Sequence, residues 1–280
     1  MQPEVILSFF AKYIESELGI VYAEHNYFQL QNRLEEISKL LSVDGLPKLY
    51  ELAQNGVTGA FRQLLLDLAT NNETSFFRDP KIFKAIEAKI LPAFLATNPA
   101  GANLGIWSAA SSSGQEALTI SMMIKEWSIK NSRPIKFTIT GTDISERILL
   151  KAKAAQYSQL EVQRGLPTPL LLKYFTKDTN DRWTANSDLS EPISFRKQNL
   201  KENFSFVETF YIVLCRNVLI YQSVAGKTDV IRRLTAKLAP GGFLILGSGE
   251  SLLGLSNDYE QINIDGAIVY QKRLPLQKTA

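Results

Sequence analysis

Along the first third of the chain apolar residues recur every three or four positions, and beyond it they gather into short continuous runs separated by stretches of that same spacing. Ile6, Phe9, Phe10, Tyr13, Ile14 and Leu18 make one helical stripe. Leu30, Leu34, Ile37, Leu40 and Leu41 make a second, and Phe61, Leu64, Leu65 and Leu68 a third. Asp79-Pro80 opens another helix, with Pro80 near its first position and Ile82, Phe83, Ile86, Ile90 and Leu91 on its apolar side. Residues 3–95 therefore read as helices throughout, and Asn98-Pro99-Ala100-Gly101 marks a boundary.

From residue 102 the period changes. A strand at 103–107, a helix at 115–129, a strand at 136–141 and a helix at 145–155 predict a parallel sheet with right-handed crossovers. Residues 156–200 interrupt the alternation with a short helix at 169–175, a polar turn at 178–181, Trp183 and a strand at 193–195, which together predict a small β excursion. Alternation resumes with a buried strand at 210–215 and a helix at 228–239, after which Pro240-Gly241-Gly242 turns into a strand at 243–247. The runs 259–264 and 267–272 about Asp265-Gly266 predict a hairpin whose last strand is antiparallel to the sheet. The expected architecture is α/β. A helical domain spans 1–80, a linker helix and boundary 81–101, and a Rossmann-like sheet domain 102–275 with a β subdomain at about 156–200.

Within that sheet the stretch Leu104 to Ile120 is central. A short strand breaks into a Ser/Ala loop ending at Gly114, and a helix starts at Gln115. Small side chains let backbone N–H groups at a helix N-terminus come close to a ligand. The loop has one glycine and so lacks the dinucleotide fingerprint, and a plain connection in any α/β protein would look similar. Asp143 lies at the C-terminal edge of the second strand, where a carboxylate can accept from ribose hydroxyls; the alternative is a plain cap for the helix opening near Ser145.

Composition narrows the chemistry. With 280 residues, 45% of them hydrophobic, the chain can bury a real core. No apolar run approaches the roughly 18 residues of a membrane span, and Glu4 stands where a signal peptide would be basic. A cytoplasmic protein without membrane insertion is expected. One cysteine, Cys215, and one histidine, His25, exclude an internal disulfide, leave almost no zinc-type ligand set, so that no metal is expected, and argue against thiolate or imidazole catalysis. His25 reads as a surface or capping residue. Residues 1–80 hold six Lys/Arg against eleven Asp/Glu, a balance of −5, so the net +3 leaves +8 for the remainder. That mild excess suits an acidic partner better than nucleic acid.

Four further stretches stand out: Asn72-Glu73-Thr74-Ser75-Phe76-Phe77-Arg78-Asp79, Asp143, Asn199-Leu200, and Cys215-Arg216-Asn217-Val218-Leu219-Ile220-Tyr221. All but the first sit at C-terminal ends of predicted strands, the edge where open α/β sheets bind ligands. With W-S-A-A-S-S-S-G-Q-E at 107–116, and in this order over nearly the whole chain, they resemble the CheR family, the chemotaxis receptor methyltransferases that use S-adenosylmethionine. The resemblance implies that Asn72, Thr74, Arg78, Glu116, Asp143, Asn199, Leu200, Arg216 and Asn217 contact the cofactor. It also implies that Arg78 and Tyr221 lie beside the methyl group and the accepting carboxylate. The implied partners are methyl-accepting receptors, met by a monomer.

Three departures accompany the match. Gln115 stands where the family commonly has a first Glu, while Glu116 remains; Tyr211 replaces an Asp usual before the C-R-N strand; and the helical domain is net acidic where the family's can be basic. The implied reaction suits the composition. A glutamate of pKa about 4.3 is more than about 99% ionised at pH 7, so its methylation needs no general base. Competing expectations are a methyltransferase with another target, a non-catalytic cofactor-binding sensor and an NAD-dependent oxidoreductase. Arg216-Asn217-Val218 in place of an Asn/Asp-Pro-Pro-aromatic motif disfavours amino-group methylation, Arg78 and Tyr221 argue against the sensor, and the missing glycine fingerprint argues against the oxidoreductase.

Overall fold

Helix α1 (Pro3–Leu18) starts on a proline and ends where Gly19 turns left-handed at φ 73°, and its Ile6, Phe10, Ile14 and Leu18 are all buried. The computed structural model describes residues 2–274, so position 275, the expected limit of the sheet domain, lies outside the described residues. A 3₁₀ turn at Glu24–Asn26, holding the exposed His25, leads into α2 (Tyr27–Leu40), α3 (Gly45–Gln54) and α4 (Gly59–Ala69). These helices share one core, with Leu34, Ile37 and Leu49 fully enclosed between them. An extended joining segment follows, then α5 (Pro80–Ala85), a π-type turn (Ile86–Ile90) and α6 (Leu91–Thr97). The π turn precedes Pro92, which has no N–H to give to the preceding turn.

The sheet domain runs β1 (Asn103–Ala109), α7 (Gln115–Lys130), β2 (Lys136–Asp143) and α8 (Glu146–Ala154). An excursion follows: β3 (Gln156–Ser158), α9 (Gln159–Gln163), α10 (Thr168–Tyr174), β4 (Phe175–Lys177), β5 (Arg182–Ala185) and α11 (Ser187–Ser190). The chain returns through β6 (Ile193–Lys197), β7 (Phe210–Cys215), α12 (Val224–Lys237), β8 (Leu238–Leu246), β9 (Tyr259–Ile264) and β10 (Ala267–Lys272).

The main sheet has the order β6-β2-β1-β7-β8-β10-β9. Its first five strands are parallel, and β10 joins antiparallel to β8. Alternate residues of the central strands feed two cores. Leu104, Ile106, Ile212 and Leu214 meet α5, α6 and α7 on one face, while Trp107, Val213, Cys215 and Leu246 meet α12 on the other. Burial on both faces explains why these strands are continuous apolar runs. Strand β1 pairs with β2 on one side and β7 on the other, so the chain reverses its direction of travel across the sheet there. A crevice opens at the strand ends at such a point.

Several sequence expectations are corrected. The strand expected at 193–195 within the β excursion is β6, Ile193–Lys197, and belongs to the main sheet, parallel to β2; the excursion's own three-stranded sheet is β3-β5-β4. Gly141 makes this edge pairing possible, because a Cβ there would lie 2.4 Å from the Phe195 ring. Asp143 is the last residue of β2, and the cap of α8 is Ser145, whose hydroxyl accepts from the Ile148 N–H at 3.2 Å. Helix α12 starts at Val224, earlier than expected, because Ser223 caps it by accepting from the Gly226 N–H. Pro240-Gly241-Gly242 lies inside β8, where the pairing with β7 shifts register between Phe210 and Ile212. Among the described residues no helix is long and apolar enough to cross a membrane.

Candidate functional site

The loop between β1 and α7 is shaped by left-handed residues at alternate positions: Ala110 at φ 57°, Ser112 at 50° and Gly114 at 90°. At Gly114 a Cβ would press on Phe195, Ala152 and the Tyr157 hydroxyl at 3.1 to 3.3 Å, so this position needs glycine for both conformation and space. The Ser111 N–H donates to the Thr142 carbonyl at 2.8 Å, which fastens the loop to the end of β2.

Asp143 is 5% exposed. One carboxylate oxygen accepts from the Ser112 N–H at 2.9 Å and the other from the Ser145 N–H at 3.1 Å. Burial pushes its pKa up, and the backbone donors at Ser145, Ser112 and Ile144 work against that rise. A carboxylate has about four acceptor positions, so capacity remains for a ligand's hydroxyls.

Arg216, whose side chain is only 3% exposed, ties three segments together. One terminal nitrogen donates to Glu116 at 2.9 Å; the other donates to Asp79 and to the Arg78 carbonyl, each at 2.7 Å. Glu116, in the first turn of α7, also accepts from the Ser108 hydroxyl at 2.7 Å. The guanidinium carbon lies 5.7 Å from the Phe83 ring centre. Three parts of the fold thus meet on one planar cation, whose fork geometry an ammonium could not reproduce.

Beyond β6, the Asn199 amide donates to the Glu17 carbonyl at 2.8 Å, and its oxygen accepts from the Lys201 N–H at 3.0 Å. Lys201 donates to the Glu15 and Ser16 carbonyls, and Gln222 to the Leu18 carbonyl at 3.0 Å. The last carbonyls of α1 are therefore capped by side chains from the sheet domain. Leu200 is buried in the α12-side core.

The joining segment threads between these parts. Phe76 is 1% exposed against Tyr157 and Phe175 of the excursion. Gly165 lets the excursion approach, since a Cβ there would lie 2.1 Å from the Phe76 carbonyl oxygen. Arg164 pairs with Glu73, and the Asn72 carbonyl accepts from the Ser112 hydroxyl at 2.8 Å. Phe77 and Asp79 are left-handed at φ 48° and 58°. Arg78 donates to the Glu73 carbonyl at 3.1 Å and has no carboxylate partner among the described residues. The Tyr221 hydroxyl accepts from Asn71 at 3.1 Å, and its carbonyl accepts from the Val21 N–H at 2.8 Å.

All ten candidate residues, Asn72, Thr74, Arg78, Glu116, Asp143, Asn199, Leu200, Arg216, Asn217 and Tyr221, line one cavity at this sheet edge. The buried side-chain polar atoms without a partner among the described residues are Ser111 Oγ, Arg216 Nε and Asn217 Oδ1, and all three residues line it too. Unpaired buried polar groups are costly, so this wall is suited to a polar ligand with both donors and acceptors, as a nucleoside bearing an amino-acid chain has. Cys215 is fully buried and its thiol is pushed well up by burial, which leaves it inert.

Sequence reasoning missed Ser111, Ser112, Asn71 and Glu250. The triple serine was visible, but which hydroxyl turns to Asn72 and which is left unpaired depends on the alternate left-handed residues. Glu250 gave no signal, because its partners are backbone groups, three of the four 30 to 33 residues away.

Comparison with known proteins adds a family. The family model described as "CheR methyltransferase, SAM binding domain" matches residues 72–268. The chain is 35% identical to chemotaxis protein methyltransferase Cher2 of Pseudomonas putida, over 94% of this chain and 96% of that protein. It is 37% identical to chemotaxis protein methyltransferase 1 of Vibrio cholerae, over 94% of each. It is 32% identical to a chemotaxis protein methyltransferase of Borreliella burgdorferi, over 90% of this chain and 89% of that protein.

Proposed function

This chain belongs to the CheR family of S-adenosylmethionine-binding methyltransferases, and on that footing we propose that it esterifies glutamate side chains on the cytoplasmic helices of chemotaxis receptors. That it is an S-adenosylmethionine-dependent methyltransferase of chemotaxis follows from the family itself. The choice of a carboxylate as acceptor rests on one observation: Arg78, a cation with no carboxylate partner among the described residues, shares a cavity wall with the Tyr221 phenol.

Bound S-adenosylmethionine supplies a methyl group made electrophilic by its sulfonium. Asp143 would accept from the ribose hydroxyls while the Ser112 and Ser145 N–H groups hold its carboxylate in place. Asn72, Thr74, Asn199, Leu200 and Asn217 would shape the rest of the pocket. Arg216, paired with Glu116 and Asp79, and Glu116, which accepts from Arg216 and the Ser108 hydroxyl, would keep the joining segment over the cavity. Arg78 would orient the entering carboxylate through its planar fork, and Tyr221 would donate one hydrogen bond to it without competing as a base. Cation and anion neutralise each other as the methyl moves. Alignment and exclusion of water are then the main sources of rate, and such orientation yields about 7 to 11 kcal/mol in well-ordered intramolecular reactions.

The test is incubation with methyl-labelled S-adenosylmethionine and receptor-containing membranes, followed by alkali. Release of the label as volatile methanol is expected, since carboxyl esters are base-labile. Label that stays on the protein after alkali would mean another acceptor group and would overturn the glutamate assignment.

A further inference from the structure

We propose that Glu250, which lies outside the cavity wall, is a positioning residue that sets the loop carrying Asn217 and Tyr221. After β8 the chain turns back at Gly247, and the Glu250 side chain reaches across the end of β7. One oxygen accepts from the N–H groups of Gly247 at 2.7 Å and Asn217 at 2.8 Å; the other accepts from Val218 at 2.9 Å and Ile220 at 3.1 Å. A carboxylate has about four acceptor positions, and all four are used on backbone donors. Three of those donors belong to the single loop between β7 and α12.

That loop needs such a fastening. Asn217 is left-handed at φ 59°, a conformation asparagine adopts more readily than most side-chain-bearing residues, and the turn it makes directs successive N–H groups toward one point. Gly247 sits so close that a Cβ would lie 2.8 Å from the Asn217 N and Nδ2 atoms and 2.9 Å from Glu250 Oε2. The loop thus has an inner anchor, Glu250, and outer anchors where Tyr221 and Gln222 meet Asn71, Val21 and Leu18. Arg216, just before the loop, is held independently by Glu116 and Asp79. Loss of the inner anchor therefore moves Asn217 and Tyr221 while most of the cavity wall stays in place.

Glutamine separates the possibilities. Its amide nitrogen would face two N–H donors with a donor of its own, while aspartate keeps both acceptor oxygens on a shorter arm. The part played by Tyr221 in catalysis rests on the acceptor assignment above, so the loop and the catalysis are measured separately. Backbone amide exchange at Asn217, Val218, Ile220 and Gly247 should speed up at least tenfold in Glu250→Gln, with no need for an acceptor. In methyl transfer, kcat should fall at least tenfold and by clearly more than the affinity for S-adenosylhomocysteine, to which Asn217 would be one contact among several, and Glu250→Asp should recover part of the lost rate. Unchanged exchange at those amides overturns the anchor. An unchanged kcat, or equal loss of kcat and affinity with Glu250→Asp no better than Glu250→Gln, overturns the positioning role. If the glutamine protein fails to fold, the same split between kcat and affinity in Glu250→Asp decides. If the wild-type protein makes no methyl ester, the acceptor assignment fails and amide exchange alone judges Glu250.

Discussion

Replacing Arg216 by methionine removes a buried cation while keeping most of its volume, and the expected consequence follows from its contacts. The side chain is 3% exposed and faces a Glu116 side chain that is 14% exposed, so the substitution strands a carboxylate with only the Ser108 hydroxyl as partner. Breaking a buried ion pair by removing one member costs about 3 to 5 kcal/mol, because the remaining charge loses its compensation. The Asp79 pair adds little, since that carboxylate is 34% exposed and water can replace the guanidinium. For a domain of this size roughly 2 to 4 °C of melting temperature is lost per kcal/mol, so Arg216→Met should melt about 6 to 20 °C lower. Calorimetry on Arg216→Met, Glu116→Gln and the double variant tests the cause as well as the size. Glu116→Gln should rescue part of the Arg216→Met loss, giving a coupling energy above about 1 kcal/mol. Costs that simply add to within about 0.5 kcal/mol would refute the account, because residues without interaction behave that way.

Asp143→Ala should weaken S-adenosylmethionine binding by roughly ten- to a hundredfold, the loss of about 1.5 to 3 kcal/mol from hydrogen bonds to a charged group; titration calorimetry showing unchanged affinity would remove the residue from the site. Tyr221→Phe should slow methyl transfer with cofactor affinity nearly intact, and Arg78→Lys should be impaired because an ammonium cannot replace the fork; a Tyr221→Phe protein of normal rate leaves the tyrosine a packing residue. Cofactor binding should protect residues 72–79 from hydrogen exchange, since the Asn72 carbonyl and the Asp79 carboxylate are tied to the cavity wall; protection confined to residues beyond 102 would exclude the joining segment from the site. In the excursion, burial works to raise the Glu161 pKa, but Lys151 and the Ser158 N–H and hydroxyl outweigh it and hold the carboxyl below its ordinary value of 4.5. A depressed folded-state value contributes stability above the unfolded value that is lost as pH falls through the folded one. Acid unfolding monitored between about pH 5 and 3 should therefore be less steep in Glu161→Gln, and identical slopes would refute this.

Periodicity in the sequence determined most of the architecture: helices up to residue 95, alternating strand and helix after 102, and a terminal hairpin about Asp265-Gly266. The expectation of helix throughout 3–95 fails only at the joining segment between Ala69 and Pro80 and at the short turns between helices. Apolar spacing is a local property, and burial on one face or on both leaves its mark directly in the residue order. The order of the motifs also indicated which strand ends would meet, and the ten residues drawn from them line one cavity. What the sequence could not determine is partnership between polar groups. The strand at 193–195 looked like part of the excursion because its own residues suit either sheet, and its parallel pairing with β2, where Gly141 leaves space for Phe195, places it in the main sheet. The resemblance implied that Arg216 contacts the cofactor, and only the folded chain shows that most of its guanidinium is committed to Glu116, Asp79 and the Arg78 carbonyl. Tertiary structure alone decided these pairings, as it decided that Glu250 holds a loop some 30 residues upstream. Hydrogen bonds are short-ranged and directional, and the groups that satisfy a buried charge are chosen by proximity in the folded chain.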